Sequence, residues 1–369
     1  MANTRTPVIP APATPNPIEL VPGQIVGGVD THADTHHAAA LDHLGRLLAT
    51  EQFPTTTPGL ASLRAWLTGH GSIHAVGVEG AGSYGAGLTR HLTDQHITVI
   101  EVDRPDRTTR RRHGKSDPLD AIAAAQAVLS GRATGIPKTR TGPVEAIRVL
   151  HTVRAEAVKA RTAALNHLHA LTTTAPDPLR EQLHVLTRAA LLAHCARLRP
   201  TTTLTDPVAA TKTALRRLAR RIQTLTREIT DADHELAGLT ATVAPATTAL
   251  HCVGPQTTAQ LLATAGDNPD RIASEAGFAR LCGVAPVPAS SGNTTRQRLH
   301  RGGDRQANAA LYRIVIVLMR HCARTRAHVT RRTAEAKTKK EIIRCLKRYV
   351  AREVYATILA DLTGTATTA

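Results

Sequence analysis

Aromatic side chains are scarce: one Trp, four Tyr and two Phe make up 2% of the 369 residues. That excludes a binding surface built mainly from stacked rings, as in sheet-type RNA-recognition domains. Acid is short relative to base, with 29 Asp and Glu against 46 Lys and Arg, a formal charge of +17 and a pI near 10.6. Such an excess favours a polyanionic partner through Coulomb attraction and counterion release, with nucleic acid ahead of a membrane surface. No stretch approaches the roughly 20 apolar residues of a spanning helix. The start, MANTRTPVIPAPATPNP, has no signal-peptide apolar region. A cytoplasmic protein with no membrane partner is expected. The five cysteines, Cys195, Cys252, Cys282, Cys322 and Cys345, are scattered and never in a C-x-x-C pair, so reduced thiols are expected rather than a disulfide framework or a zinc site.

What is present is a chain long enough for two or three domains, with 42% apolar residues to fill their cores. Residues 1–23 are rich in Pro, Thr and Ala without periodicity and read as a disordered tail. Residues 24–140 then alternate strand and helix signals. QIVGGVDTH, THHAAALDHLG and RLLATEQF follow one another at hairpin spacing, with Gly45 in the second turn. Pro58 opens a helix with Leu60, Leu63 and Leu67 on one face, and the strand IHAVGVEG, a helix over 83–94 and the strand ITVIEV come next. Three strands, a helix, a strand, a helix, a strand and a helix make a mixed sheet covered by helices, an order that resembles the ribonuclease-H-like fold.

Residues 141–240 read as a helical connector, broken by Pro176, Pro178 and Pro200. Leu215, Leu218, Ile222, Leu225, Ile229, Ala232 and Leu236 alternate steps of three and four, a heptad seam that suits an intramolecular helical hairpin and an intermolecular coiled coil about equally. Residues 241–369 form a third, mainly helical unit. LHCVGPQTTAQLLATAG resembles half of a helix-hairpin-helix, whose turn offers backbone N–H groups to a phosphate. KTKKEIIRCLKRYVAREVYATIL reads as a basic amphipathic helix.

Four acids carry the candidate chemistry. Asp30 and Glu79 end apolar strand runs, where an unpaired buried carboxylate is costly. Asp117 and Asp120 in HGKSDPLDAIAAAQAVL suit an N-cap and N3, with Pro118 at N1, and their spacing also puts them on one helix face. Two like charges about 4 Å apart repel by roughly 4 kcal/mol at an effective dielectric of 20, so several together call for Mg²⁺ or Mn²⁺. Just upstream, RPDRTTRRRHGK supplies Arg104, Arg107, Arg110, Arg111, Arg112 and Lys115 for a phosphodiester. ASSGNTTRQRLHRGGDRQ combines hydroxyl residues with Arg296, Arg298, Arg301 and Arg305; Ser-Ser-Gly is commonly a turn, and a serine among arginines also suits a nucleophile toward phosphate. His32, His36 and His37 are assigned to surface strand positions, with no zinc spacing among them.

GVDTHADTHHAAAL, GVEGAGSYG, GKSDPLDA, GPQTTAQLLATAGD and FARLCGVAPVPASSGNTTR resemble, in order and spacing, the transposases of the insertion sequence 110 family. The resemblance covers residues 25 to about 360. It implies a RuvC-like domain with an Asp-Glu-Asp-Asp metal set, here Asp30, Glu79, Asp117 and Asp120, followed by the helical connector and a C-terminal transposase domain with an essential serine. That serine is Ser291, before Gly292, with Ser290 as the alternative. It further implies a recombinase that joins donor and target DNA, a guiding bridge RNA, and a homo-oligomer, dimer or tetramer, in which the serine of one subunit meets the metal site of another. Three rival readings remain: a sugar-kinase-like protein, which the charge opposes; a non-catalytic nucleic-acid-binding protein; and a RuvC-like metal-dependent nuclease without serine chemistry.

Overall fold

The computed structural model describes residues 17–103, 116–289, 297–298, 300 and 302–366. The chain divides into two compact units, Met1–Thr141 and Gly142–Ala369.

The first unit is a five-stranded mixed sheet with helices on both faces, a ribonuclease-H-like arrangement. Its elements are β1 (Gln24–Thr31), β2 (Thr35–Leu41), β3 (Leu47–Pro54), α1 (Thr57–His70), β4 (Ser72–Glu79), α2 (Ala86–Asp94), β5 (Val99–Val102) and α3 (Asp117–Leu129). The strand order is β3-β2-β1-β4-β5. The first three strands are antiparallel, and β4 and β5 are added in parallel through helical crossovers. The second helix starts at Ala86, three residues later than the pattern suggests, because Ser83 donates both its N–H and its Oγ–H to Gly80 O in a preceding turn.

Period-two alternation sorts the strands onto two faces. Val29, Ala38, Ala40, Val76 and Val78 pack under Leu60, Leu63 and Leu67 of α1 and Leu88 and Leu92 of α2. Val26, Leu41 and Ala75 meet Ala124, Ala125 and Val128 of α3 on the other face. There the helix lies directly on backbone. A Cβ at Gly28 would stand 2.2 Å from Ala121 O and 2.3 Å from Ala125 N, and one at Gly77 would stand 2.7 Å from Val128 Cγ2 and 2.9 Å from Ala124 O. Two glycines in neighbouring strands and an alanine face on the helix therefore set the depth of α3.

The second unit is helical. Its elements are α4 (Pro143–Thr173), α5 (Asp177–His184), α6 (Arg188–Arg197), α7 (Pro207–Val243), α8 (Pro245–Thr248), α9 (Pro255–Ala265), α10 (Glu275–Leu281), α11 (Arg305–His321), α12 (Ala323–Ala334) and α13 (Lys339–Ala366). A short 3₁₀ turn, Pro269–Ile272, joins α9 to α10. The long helices α4 and α7 pack along each other. Of the heptad seam, Leu215, Ile222, Ile229 and Leu236 are buried, whereas Leu218, Leu225 and Ala232 are half-buried. One row of the seam thus serves the intramolecular hairpin.

Around α13, Ile342, Leu346, Val350, Val354, Ile358 and Leu362 face a core completed by Phe278, Leu261 and Leu311. Asp361 ties this helix to α8, accepting from Ala246 N, Thr247 N and Thr247 Oγ1 at 3.0, 2.9 and 2.7 Å. The stretch between α10 and α11 contains a two-residue antiparallel pair, β6 (Val287–Pro288) with β7 (Gln297–Arg298). Its end at 302–304 is packed against the C-terminal end of α10: a Cβ on Gly303 would lie 2.2 Å from Gly283 N and 2.7 Å from Arg280 O.

Replacing Gly28 with Ala should lift α3 and destabilise the chain by about 1–3 kcal/mol. Gly69→Ala, in α1 with no atom within 4 Å of the new methyl, should be neutral or stabilising. Urea unfolding of both variants checks the contrast.

Candidate functional site

The close approach of α3 brings its first turn to the C-terminal ends of β1 and β4. Asp30 follows Gly28 by two residues and Glu79 follows Gly77 by two, so both acids lie on the face that α3 covers. The last residues paired between β1 and β4 are Val29 and Val78, immediately before the two acids. Thr31 Oγ1 donates to Glu79 O at 2.7 Å and closes the strand ends together. On the helix, Asp120 shares the buried face with Ala121 and Ala124, one turn after Asp117. Asp30, Glu79 and Asp120 are buried, at 6%, 6% and 9% exposure, while the Asp117 side chain is half exposed.

Asp117 does not cap the helix. The N-cap is Ser116, in extended conformation and without a side-chain capping bond, one position earlier than the sequence suggests. The Asp117 carboxylate is turned instead toward His32: His32 Nε2 lies 3.3 Å from Asp117 Oδ1 and 3.1 Å from Asp30 Oδ2. Asp30, His32 and Asp117 each offer a ligand atom, all within 4.8 Å of one another; Glu79 and Asp120 lie outside this tight group.

The histidines are placed differently from the surface strand positions expected of them. His32 sits in the turn after β1, His36 is fully buried on β2, and His37 is half-buried in register opposite Asp30. Burial lowers the pKa of His36; the His32 ring adds to that, opposed by a backbone hydrogen bond at Thr35 and by Asp30. The buried His37 Nε2 has no hydrogen-bond partner among the described residues.

This donor set fits a divalent cation. Carboxylate oxygens are the ligands of Mg²⁺ and Mn²⁺, and an imidazole nitrogen tilts the choice toward the transition metal. Buried carboxylates gathered at one sheet end also need a counter-charge, which a bound cation supplies.

Two family models match the chain. One, the DEDD transposase of the IS110 type, covers residues 27–175. The other, the transposase IS116/IS110/IS902 family, covers residues 247–330. The chain belongs to the IS110 family of transposases. It is thus an enzyme that cuts and rejoins DNA, and DNA is its substrate. The DEDD domain goes with divalent-metal use, and the group around Asp30 is where the first unit offers ligands for it. No curated protein matches the transposase. Among its described residues, no helix is long and apolar enough to cross a membrane.

Several expected nucleic-acid contacts, Arg104, Arg107, Arg110, Arg111, Arg112, Lys115, Arg296 and Arg301, lie outside the described residues, as do Ser290 and Ser291. Arg298, on β7, and Arg305, first residue of α11, are exposed. A cation at a helix N-terminus opposes the macrodipole, so Arg305 is not placed there for the helix. The turn before α9 is less open to phosphate than the sequence suggests, because Gly254 N already donates to Thr257 Oγ1 at 3.1 Å.

Mn²⁺ should raise the melting temperature of the transposase, by the equivalent of about 2.7 kcal/mol at a hundredfold excess over Kd. Asp30→Asn and Asp117→Asn should each weaken Mn²⁺ affinity at least about tenfold, which cuts the stabilisation at that concentration to about 1.4 kcal/mol or less. In chelator, both should be as stable as the parent or more so, because a like charge is removed. Thermal denaturation with and without metal checks both signs.

Proposed function

We propose that this transposase exchanges DNA strands through a serine ester, with Ser291 as the nucleophile and Asp30, Glu79, Asp117 and Asp120 as the metal-holding acids. The observation that carries the reading is the convergence of three strand and helix ends, bearing those four acids, onto one side of the sheet. His32 lies between Asp30 and Asp117, where it serves as a further ligand or holds the two carboxylates in place when protonated. Mg²⁺ or Mn²⁺ bound there supplies Lewis acidity to the phosphodiester oxygens.

The hydroxyl oxygen of Ser291 forms a bond to phosphorus as the strand's own P–O bond breaks, and the departing nucleoside oxygen takes up a proton. The ester so formed keeps the energy of the phosphodiester, so attack by another DNA hydroxyl rejoins strands and releases the serine without an outside energy source. Arginines flanking the two motifs, Arg104 to Lys115 and Arg296 to Arg305, neutralise the phosphates. The working form is a homo-oligomer in which the serine of one subunit acts with the acids of another. A bridge RNA paired with donor and target DNA selects the sites, and the reaction takes place in the cytoplasm. The connector, residues 141–240, and the transposase domain, residues 241–369, are read as separate working parts.

Asp117→Ala should lower strand cleavage by at least about a hundredfold while leaving DNA affinity within about a factor of two. Ser291→Ala should abolish the covalent protein–DNA adduct seen on denaturing gels, and Ser290→Ala should retain it. Adduct formation by both serine variants removes the serine assignment. Loss of affinity in Asp117→Ala, with cleavage per bound complex unchanged, favours a binding role for the acids.

A further inference from the structure

The second unit contains a cavity of about 890 Å³, walled by residues 283–286, Gln297 and Arg298 of β7, the end of α12 and the first turns of α13. Its described lining carries eight Lys or Arg side chains and one acid, Glu341. Some of these cations are engaged: Arg332 pairs with Glu335, and Arg348 with Glu275. Lys347 is buried and donates to Asn308 Oδ1 at 2.7 Å. Lys337, Lys340 and Arg344 form no ion pair among the described residues.

The placement of the last three works against the helix they belong to or precede. Lys340 and Arg344 are four residues apart on one face of α13, where like charges repel. Lys337 and Lys340 sit at its N-terminal end, where the macrodipole disfavours cations. A polyanion in the cavity reverses both penalties.

Tyr349, one of seven aromatic residues in the chain, lines the same cavity and is about half exposed. Its ring meets His328 edge-on, centroids 5.9 Å apart at 83°. A duplex shows base edges in its grooves and no base face for stacking; an unpaired strand offers both phosphates and base faces. The cavity wall also includes β7, whose Gln297 pairs with Pro288 of β6, and Ser290 and Ser291 fall between those residues in sequence.

We propose that this cavity binds an unpaired DNA strand, holding its phosphates with Lys337, Lys340 and Arg344 and stacking a base on Tyr349. The choice of DNA rests on the reading that the serine between β6 and β7 in the sequence attacks DNA. The grip itself needs no cleavage, so its test stands apart from that chemistry.

Cys345 is exposed and lines the cavity, which makes its alkylation a direct readout. With the full chain, a single-stranded DNA oligonucleotide of about ten nucleotides should slow alkylation of Cys345, followed by peptide mass spectrometry, at least about fivefold. The same sequence as a duplex should slow it less than about twofold. Tyr349→Ala should weaken single-strand binding about tenfold and Tyr349→Phe should restore it. The pair Lys340→Gln and Arg344→Gln should reduce the salt dependence of log K by about 1.4, at about 0.7 per phosphate on a single strand. Circular dichroism melting confirms that each variant is folded. Unchanged Cys345 reactivity with single-stranded DNA, equal protection by duplex, or protection by single-stranded RNA but not DNA would each overturn the proposal.

Discussion

The depth at which α3 sits on the sheet is the constraint from which the rest of the first unit follows. Helices usually pack on a sheet through a layer of side chains, and here that layer is absent at Gly28 and Gly77. Helix backbone meets strand backbone, and the alanines of α3 fill what space is left. Because Asp30 and Glu79 stand two residues beyond those glycines, the same approach that closes the core carries the first turn of the helix to the acids. The local sequences Gly-Val-Asp and Gly-Val-Glu thus each combine a spacer and an acid in three residues.

Charge makes the arrangement informative. In a chain with 17 more cationic than acidic side chains, acids had many bases available for pairing, yet among the described residues Asp30 and Asp117 share a histidine rather than a lysine or arginine. Repulsion between carboxylates at such separations is of the order of several kcal/mol at a protein-like dielectric. A fold that accepts that repulsion retains a place for a cation. The second unit shows the reverse pattern: its cavity gathers eight Lys or Arg side chains and one acid around an exposed tyrosine, a place for an anion. DNA phosphates joined to a metal-assisted reaction need both.

Much of this was legible in the chain because strand and helix periods differ. The runs QIVGGVDTH, THHAAALDHLG and RLLATEQF carry hairpin spacing, and the next strands follow helices, which dictates antiparallel and then parallel addition. The four acids could be named because each ended or began such a run. What stayed hidden depends on distances that spacing does not encode. His32 follows Asp30 by two residues, a separation that in a continuing strand keeps the same face; the chain turns there instead, and its ring reaches Asp117. His36 alternates with polar neighbours yet lies fully inside, because the face beneath it is covered by α1. The heptad of α7 left hairpin and coiled coil equally open because both use the same spacing; burial of one row by α4 resolves that row. The signal that could have located α3 was the pair of glycines two residues before each acid, which reads as loss of strand propensity unless the alanine face of the partner helix is considered alongside it.

The central claim is that acids carried by β1, β4 and α3 converge on a divalent ion. Its most direct test is anomalous diffraction from crystals grown with Mn²⁺. The account predicts a manganese peak among Asp30, Glu79, Asp117 and Asp120, with carboxylate oxygens at about 2.0–2.2 Å, the range for octahedral oxygen sites and their close relatives. Full manganese occupancy elsewhere, with these carboxylates free of metal, would contradict it.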